Sequence, residues 1–153
     1  QSEREKVDLA ELLGYLVASY SAVYASRKLE LICEGEEPFA VMAAPELLAQ
    51  MFDKLVENAA DFTGAQGSIE FRLSRQRQSI CLQIINTGPP IPEALQGRLF
   101  DSLTSARTGE GEHLGLGLYV VRLIVEFHRG QVRAFNHPDG DKVVFEIRLP
   151  PLD

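Results

Sequence analysis

No part of the 153-residue chain holds the roughly 18 consecutive apolar residues of a membrane-spanning helix. No signal-peptide pattern opens it either. Basic residues are outnumbered: 15 Lys and Arg stand against 22 Asp and Glu, a formal net charge of −7. That argues against a phosphate-backbone binder, which needs a concentrated basic surface, so nucleic acid is not an expected partner. Cysteine is scarce. Cys33 and Cys81 lie far apart in apolar stretches, without metal-site clustering or a pairing signal, and are expected as buried thiols in a reducing cytoplasm. Repeats and low-complexity tracts are absent. Gln1 stands where an initiator methionine would, so the expectation is an excised fragment.

What is present is ordinary for one soluble globular domain: 45% hydrophobic and 24% charged residues. Asp8 and Glu11 form a capping-box pattern ahead of a helix running to about Ala25, with Leu9, Leu12, Leu13, Leu16, Tyr20 and Val23 on one face. Two short strands follow, Leu29–Cys33 and Phe39–Ala43. Pro45 and Gly64 then bracket a second helix whose buried stripe is Leu48, Met51, Phe52, Leu55, Ala59 and Phe62. Lys54, Asn58 and Asp61 share the flank of that stripe.

Ile69, Phe71 and Leu73, then Ile80, Leu82 and Ile84, alternate with polar residues on either side of a short connection, the pattern of a hairpin with one buried face. Asn86–Pro92 is too rich in Pro and Gly to continue the strand. Pro92 can start a short helix to Phe100, and residues 101–114 have the length of a lid loop. A last helix is expected from Gly115, with Leu116, Val120, Leu123, Ile124 and Phe127 inward, before strands Gln131–Asn136 and Lys142–Leu149. The order predicts an α+β, two-layer sandwich: a mixed, mostly antiparallel sheet covered on one face by helices.

Three spots interrupt this regularity. They are Asn58 on the central helix, Asn86-Thr-Gly88 after the hairpin, and Gly115-Leu-Gly117 at a helix start. Glycines there can let an anion approach free backbone N–H groups, or can serve only close packing. Asn and Gly also end strands routinely.

In order and content these spots resemble the ATP-binding catalytic domain of bacterial sensor histidine kinases, the Bergerat-fold family that includes gyrase-type ATPases. Residues 55–63 (LVENAADFT) look like the family's N box, and Asn86–Pro92 like its first glycine box. Leu99–Thr104 is similar to its F box, and Gly115–Leu118 to its second glycine box. The resemblance covers residues 8 to 150. It implies a catalytic domain over 8–153, with 1–7 a linker from a dimerisation and phosphoacceptor domain outside the chain.

The resemblance also implies roles. Asn58 would hold Mg²⁺ on the phosphates of ATP, with Lys54 beside it as the second catalytic position. Asn86 would accept a hydrogen bond from the adenine amino group, where most members use aspartate. Gly88 would let the backbone approach the purine, Gly115 and Gly117 would admit the phosphates, and Arg107 would neutralise their charge. Asp61, Ile91, Leu116 and Leu118 complete the implied nucleotide contacts. Departures from the pattern are Lys54, which cannot act as a general base at neutral pH unless strongly perturbed, Asp61, Pro90 and His113-Leu114. None of His113, His128 or His137 lies on a helical hairpin suited to a phosphoacceptor. His128, at a helix C-terminus, is expected as a cation favoured by the helix dipole.

The expected function is transfer of the ATP γ-phosphate to a histidine outside the chain. Partners would be the protein's own dimerisation domain, a response regulator and, in a full-length homodimer, a second copy. The fragment would be soluble in the cytoplasm and the full protein anchored in the inner membrane. An anti-sigma-factor-type serine kinase, or a degenerate nucleotide-binding interaction module, are the alternatives. Lys54, in place of a carboxylate base, speaks against the first, and the altered glycine boxes motivate the second.

Overall fold

The two layers meet along the central helix, α2 (Pro45–Thr63). Pro45 fits its first turn because an N–H there would have no intrahelical acceptor, and Gly64 takes φ 77° where the chain leaves it. Leu48, Met51, Phe52, Leu55, Val56, Ala59 and Ala60 are buried. The coordinates are a computed structural model describing residues 3–35, 38–76, 78–101 and 112–152, with only the helical backbone of 112–116.

Helix α1 (Leu9–Val23) is capped by Asp8, whose Oδ1 accepts from the N–H groups of Ala10 at 3.0 Å and Glu11 at 3.2 Å. Leu9, Leu13, Val17 and Tyr20 are its buried face, whereas Val23, expected inward, is 70% exposed. The Tyr20 hydroxyl donates to Asp53 of α2 at 2.5 Å. Burial, then the Asp53 carboxylate, push that phenol far above its ordinary range.

The main sheet comprises β2 (Lys28–Glu34), β4 (Ser68–Gln76), β5 (Ser79–Thr87), β6 (Gln131–Asn136) and β7 (Lys142–Leu149), in the order β2-β4-β5-β7-β6. The β2–β4 pair is parallel and the others are antiparallel, as the expected mixed sheet requires. Alternation sends Ile69, Phe71, Leu73, Ile80, Leu82, Ile84, Phe145 and Ile147 into one core with the helices. Cys81 is buried, but Cys33 is exposed, because β2 is an edge strand.

A separate antiparallel pair joins β1 (Glu5–Asp8) to β3 (Ala40–Ala43), with Val7 opposite Val41. Glu5–Val7 fall in the stretch read from sequence as a linker. Val7 is the one buried residue of β1, so the strand leaves no alternation to read.

After β5 the chain forms a four-residue helix, α3 (Glu93–Gln96), shorter than the expected run to Phe100. Gly97 follows it, and Arg98 and Asp101 continue in turns. Helix α4 (Glu112–Phe127) begins three residues before Gly115. Among its described side chains Leu118, Val121, Ile124 and Val125 are buried, while Leu123 and Phe127, expected inward, are 45% and 39% exposed; Leu116, also expected inward, lies outside the described side chains. Residues 118–125 are apolar at nearly every position, so their periodicity does not define a phase.

His128, just beyond α4, is no surface cation. It is buried, its Nε2 accepts from the Ala44 N–H at 3.1 Å, and its Nδ1 donates to the Ile124 carbonyl at 2.8 Å. Those partners require the neutral ring, and burial pushes its pKa below the ordinary 6.5. The residue fastens the end of α4 to the start of α2.

Candidate functional site

Lys54, Asn58 and Phe62 follow one another at four-residue steps along one flank of α2. Asn58 is 7% exposed, and among the described residues its Nδ2 has no hydrogen-bond partner. Phe62 is not in the core as expected. It is 41% exposed and forms one side of a cavity of about 320 Å³. The other walls are Pro89, Pro90, Ile91, Pro92, Leu95 and Leu99 from the segment after β5, and Val143 and Phe145 from β7. Asn86, at the end of β5, is the polar side chain lining this apolar space.

Asn86 is 1% exposed. Its Nδ2 donates to the Thr87 carbonyl at 3.0 Å, and its buried Oδ1 has no partner among the described residues. A flipped amide would set oxygen against the Thr87 carbonyl, so the hydrogen-bond network assigns this orientation. A buried acceptor without a partner is a rare and costly feature, and it marks where a ligand donor belongs.

The same cavity contains Ile91, whose backbone is held by Asn136. Ile91 N–H donates to Asn136 Oδ1 at 2.7 Å, and Asn136 Nδ2 donates to Ile91 O at 3.2 Å. Asn136 was not among the expected site residues. Its signal was an amide where the inward alternation Val132, Ala134 calls for an apolar residue. Gly88 has φ 152°, and a Cβ there would lie 2.8 Å from the Phe62 carbonyl. This glycine therefore lets the chain leaving β5 pass against the end of α2.

At the Lys54 end of the flank lies Gly117 of α4. Among the described residues a Cβ on Gly117 would meet the Lys54 side chain, at 3.8 Å. Gly115 closes the first turn of α4 and Leu116 opens the second, and Leu118 is a core residue at 1% exposure. Asp61 is exposed and turned towards α1, where it contributes, after burial and Glu57, to the raised pKa of Tyr24. Arg107 lies outside the described residues, as do residues 102–111 of the expected 101–114 lid, whereas 112–114, expected in that loop, are the first residues of α4. Arg122 of α4 donates to the Phe100 carbonyl at 3.2 Å. The Phe100 ring meets Phe145 edge-on, at 5.9 Å between centroids.

Among the described residues no group of three acidic, His or Cys side chains is arranged to hold a metal ion. Asn58 offers a single hard amide oxygen. That suits a magnesium ion whose other ligands come from substrate phosphates and water. A more open groove of about 600 Å³, lined by Gln76, Ser79, Arg129 and Arg148 among others, lies away from all of these residues. The enclosed apolar cavity with one convergent acceptor is the better small-molecule site.

An apolar cavity with one buried acceptor, beside a helix flank that carries Lys54 opposite Gly117, makes a small-molecule site on an α+β domain. Residues 43–153 match the family of histidine kinase-, DNA gyrase B- and HSP90-like ATPases, and the chain belongs to it. The adaptive-response sensory kinase SasA of Crocosphaera subtropica is 31% identical over 153 residues, 98% of this chain and 40% of that protein. Sensor protein CutS of Streptomyces coelicolor is 31% identical over 152 residues, covering 97% and 36% respectively. The chain thus spans well under half of these relatives. Among solved structures, the catalytic domain of histidine kinase ThkA superposes with a TM-score of 0.80 at 26% identity, covering 97% of this chain and 95% of that one. ThkA in complex with the response regulator TrrA matches with a TM-score of 0.77 at 25% identity, over 97% of this chain and 42% of that one.

Proposed function

We propose that this chain is the nucleotide-binding domain of a sensor histidine kinase, which passes the γ-phosphate of ATP to a histidine on a dimerisation domain outside these residues. The observation that carries the proposal is the buried, partnerless Oδ1 of Asn86 in an otherwise apolar cavity. An adenine amino group supplies the missing donor, while the base packs between Phe62 and the Ile91 wall. From there the α2 flank leads about 12 Å, eight residues at 1.5 Å each, to Lys54. A triphosphate lying along it meets Asn58, then the Lys54 ammonium opposite Gly117.

Mg²⁺ would be held by Asn58 and would neutralise charge on the phosphates. The chain's own residues grip the base, order the phosphates and leave the γ-phosphate to an external imidazole. Rate then comes from alignment and charge neutralisation rather than from a protein nucleophile. Lys54 serves as a phosphate partner, since an ammonium has no lone pair to activate water. Passage to a response regulator, homodimerisation and membrane anchoring belong to the same proposal. They rest on the relatives and on the ThkA–TrrA assembly, and no helix among the described residues is long and apolar enough to span a membrane.

A second reading, a degenerate interaction module, is favoured by the neutral Asn86 and by Pro90 in the first glycine box. Calorimetry with a non-hydrolysable ATP analogue and Mg²⁺ separates the two. The kinase reading predicts saturable heat that is much reduced in Asn58→Ala. Heat from neither protein supports the module.

A further inference from the structure

The segment 89–101 forms one wall of the cavity and contributes no strand to the sheet; its helix is four residues long. Pro89, Pro90 and Pro92 carry no N–H, so Ile91 provides the sole backbone donor between 89 and 92. That donor and the carbonyl of the same residue are both taken by the amide of Asn136. Two antiparallel hydrogen bonds to one residue fix the orientation of its backbone as well as its distance. A single bond would leave rotation free. Asn136 ends β6 opposite Val143, itself a cavity residue, so the clamp ties the loose wall to the rigid one. At its far end the wall is held to α4 by Arg122, through the Phe100 carbonyl at 3.2 Å and Asp101 at 3.5 Å.

Resting on the proposed nucleotide site, we infer that Asn136 is a positioning residue for the nucleotide base, acting through Ile91 and touching no ligand itself. It sets the width of the slot into which the purine slides, and Arg122 sets the other end of the same wall. Because the clamp acts on the base, its loss weakens ATP and ADP alike. A phosphate contact such as Lys54 discriminates between the two.

The test is calorimetric titration of the whole chain with ATP analogue and with ADP, for wild type, Asn136→Ala, Asn136→Asp and Arg122→Gln. Asn136→Asp is isosteric and keeps the acceptor for Ile91 N–H, but sets an oxygen against the Ile91 carbonyl. It guards against a folding defect in the alanine variant. Both Asn136 variants are expected to raise the two Kd values in parallel, by about five- to tenfold, with Arg122→Gln giving a smaller parallel loss. The inference also requires that the Asn136→Asp protein, added to its phosphoacceptor domain, show a raised KM for ATP with kcat held within about twofold. A purely structural role would lower the melting temperature of the nucleotide-free protein and leave Kd unchanged. That outcome overturns the inference, as does a loss confined to ATP. Failure of the wild type to bind either nucleotide removes the proposed function and this inference together, whereas equal binding by wild type and variants removes the inference alone.

Discussion

The two ends of α2 are buried to a similar degree and organised in opposite ways. At the N-terminal end, His128 uses both ring nitrogens on backbone groups and meets the Ala44 N–H, so the junction with α4 is closed. Near the C-terminal end Asn58 Nδ2 is buried, and on the neighbouring strand Asn86 Oδ1 is buried beside an open cavity, neither with a partner among the described residues. Burial of a polar side chain is thus not by itself a sign of function. Incomplete satisfaction beside empty space is the more telling feature, since a folded chain rarely tolerates it without return.

Four changes test this contrast. Asn86→Leu removes the acceptor and fills the cavity. It should weaken ATP-analogue binding by about 100-fold, near 3 kcal/mol, with the nucleotide-free melting temperature almost unmoved. His128→Ala should do the reverse. It orphans the Ala44 N–H and leaves a void, at a cost of about 2–3 kcal/mol in denaturant unfolding, while protein that remains folded binds nucleotide normally. Asn86→Asp makes the adenine hydrogen bond charge-assisted but sets its second oxygen against the Thr87 carbonyl, so it should tighten ATP by at most about fivefold and lower the nucleotide-free melting temperature.

The smallest effect is one of pH. Burial holds the His128 pKa below 6.5, so the unfolded chain takes up the proton first as pH falls. The stability tied to the neutral ring is complete above about pH 6.5 and declines below it, by at most about 1.4 kcal/mol per pH unit for one group. Unfolding in urea at pH 7 and 5.5 should show this loss in the wild type. His128→Gln, whose amide offers an acceptor and a donor without titrating, should not show it. An equal loss in both proteins would assign the acid sensitivity elsewhere.

Where the sequence carried strong local signals, the fold was legible. Pro45 and Gly64 bounded α2, Asp8 capped α1, and the alternating sets Ile69, Phe71, Leu73 of β4, Ile80, Leu82, Ile84 of β5 and Val143, Phe145, Ile147 of β7 defined the sheet's inner face. Four boxed motifs in order were enough to identify the family. What escaped was set by tertiary context. β1 has one buried residue, α4 is too uniformly apolar to show its phase, and Phe62 leaves the core because a cavity opens beside it. The helix-end position of His128 suggested a cation, but the proximity of Ala44, 84 residues away, made it a neutral acceptor. Asn136 belongs to no motif. Its partner lies 45 residues away in a proline-rich segment, and only the folded register brings them together.

The orientation of the Asn86 amide is the claim on which the nucleotide reading turns, and one comparison addresses it directly. ATP and inosine triphosphate differ at the purine six position, where an amino donor is replaced by a carbonyl acceptor. Titrated into the wild-type chain with Mg²⁺, ATP should bind at least about tenfold more tightly, because only its amino group satisfies a fixed Oδ1. Equal affinity for the two would show that Asn86 does not present its oxygen to the base, and would contradict adenine recognition by this cavity.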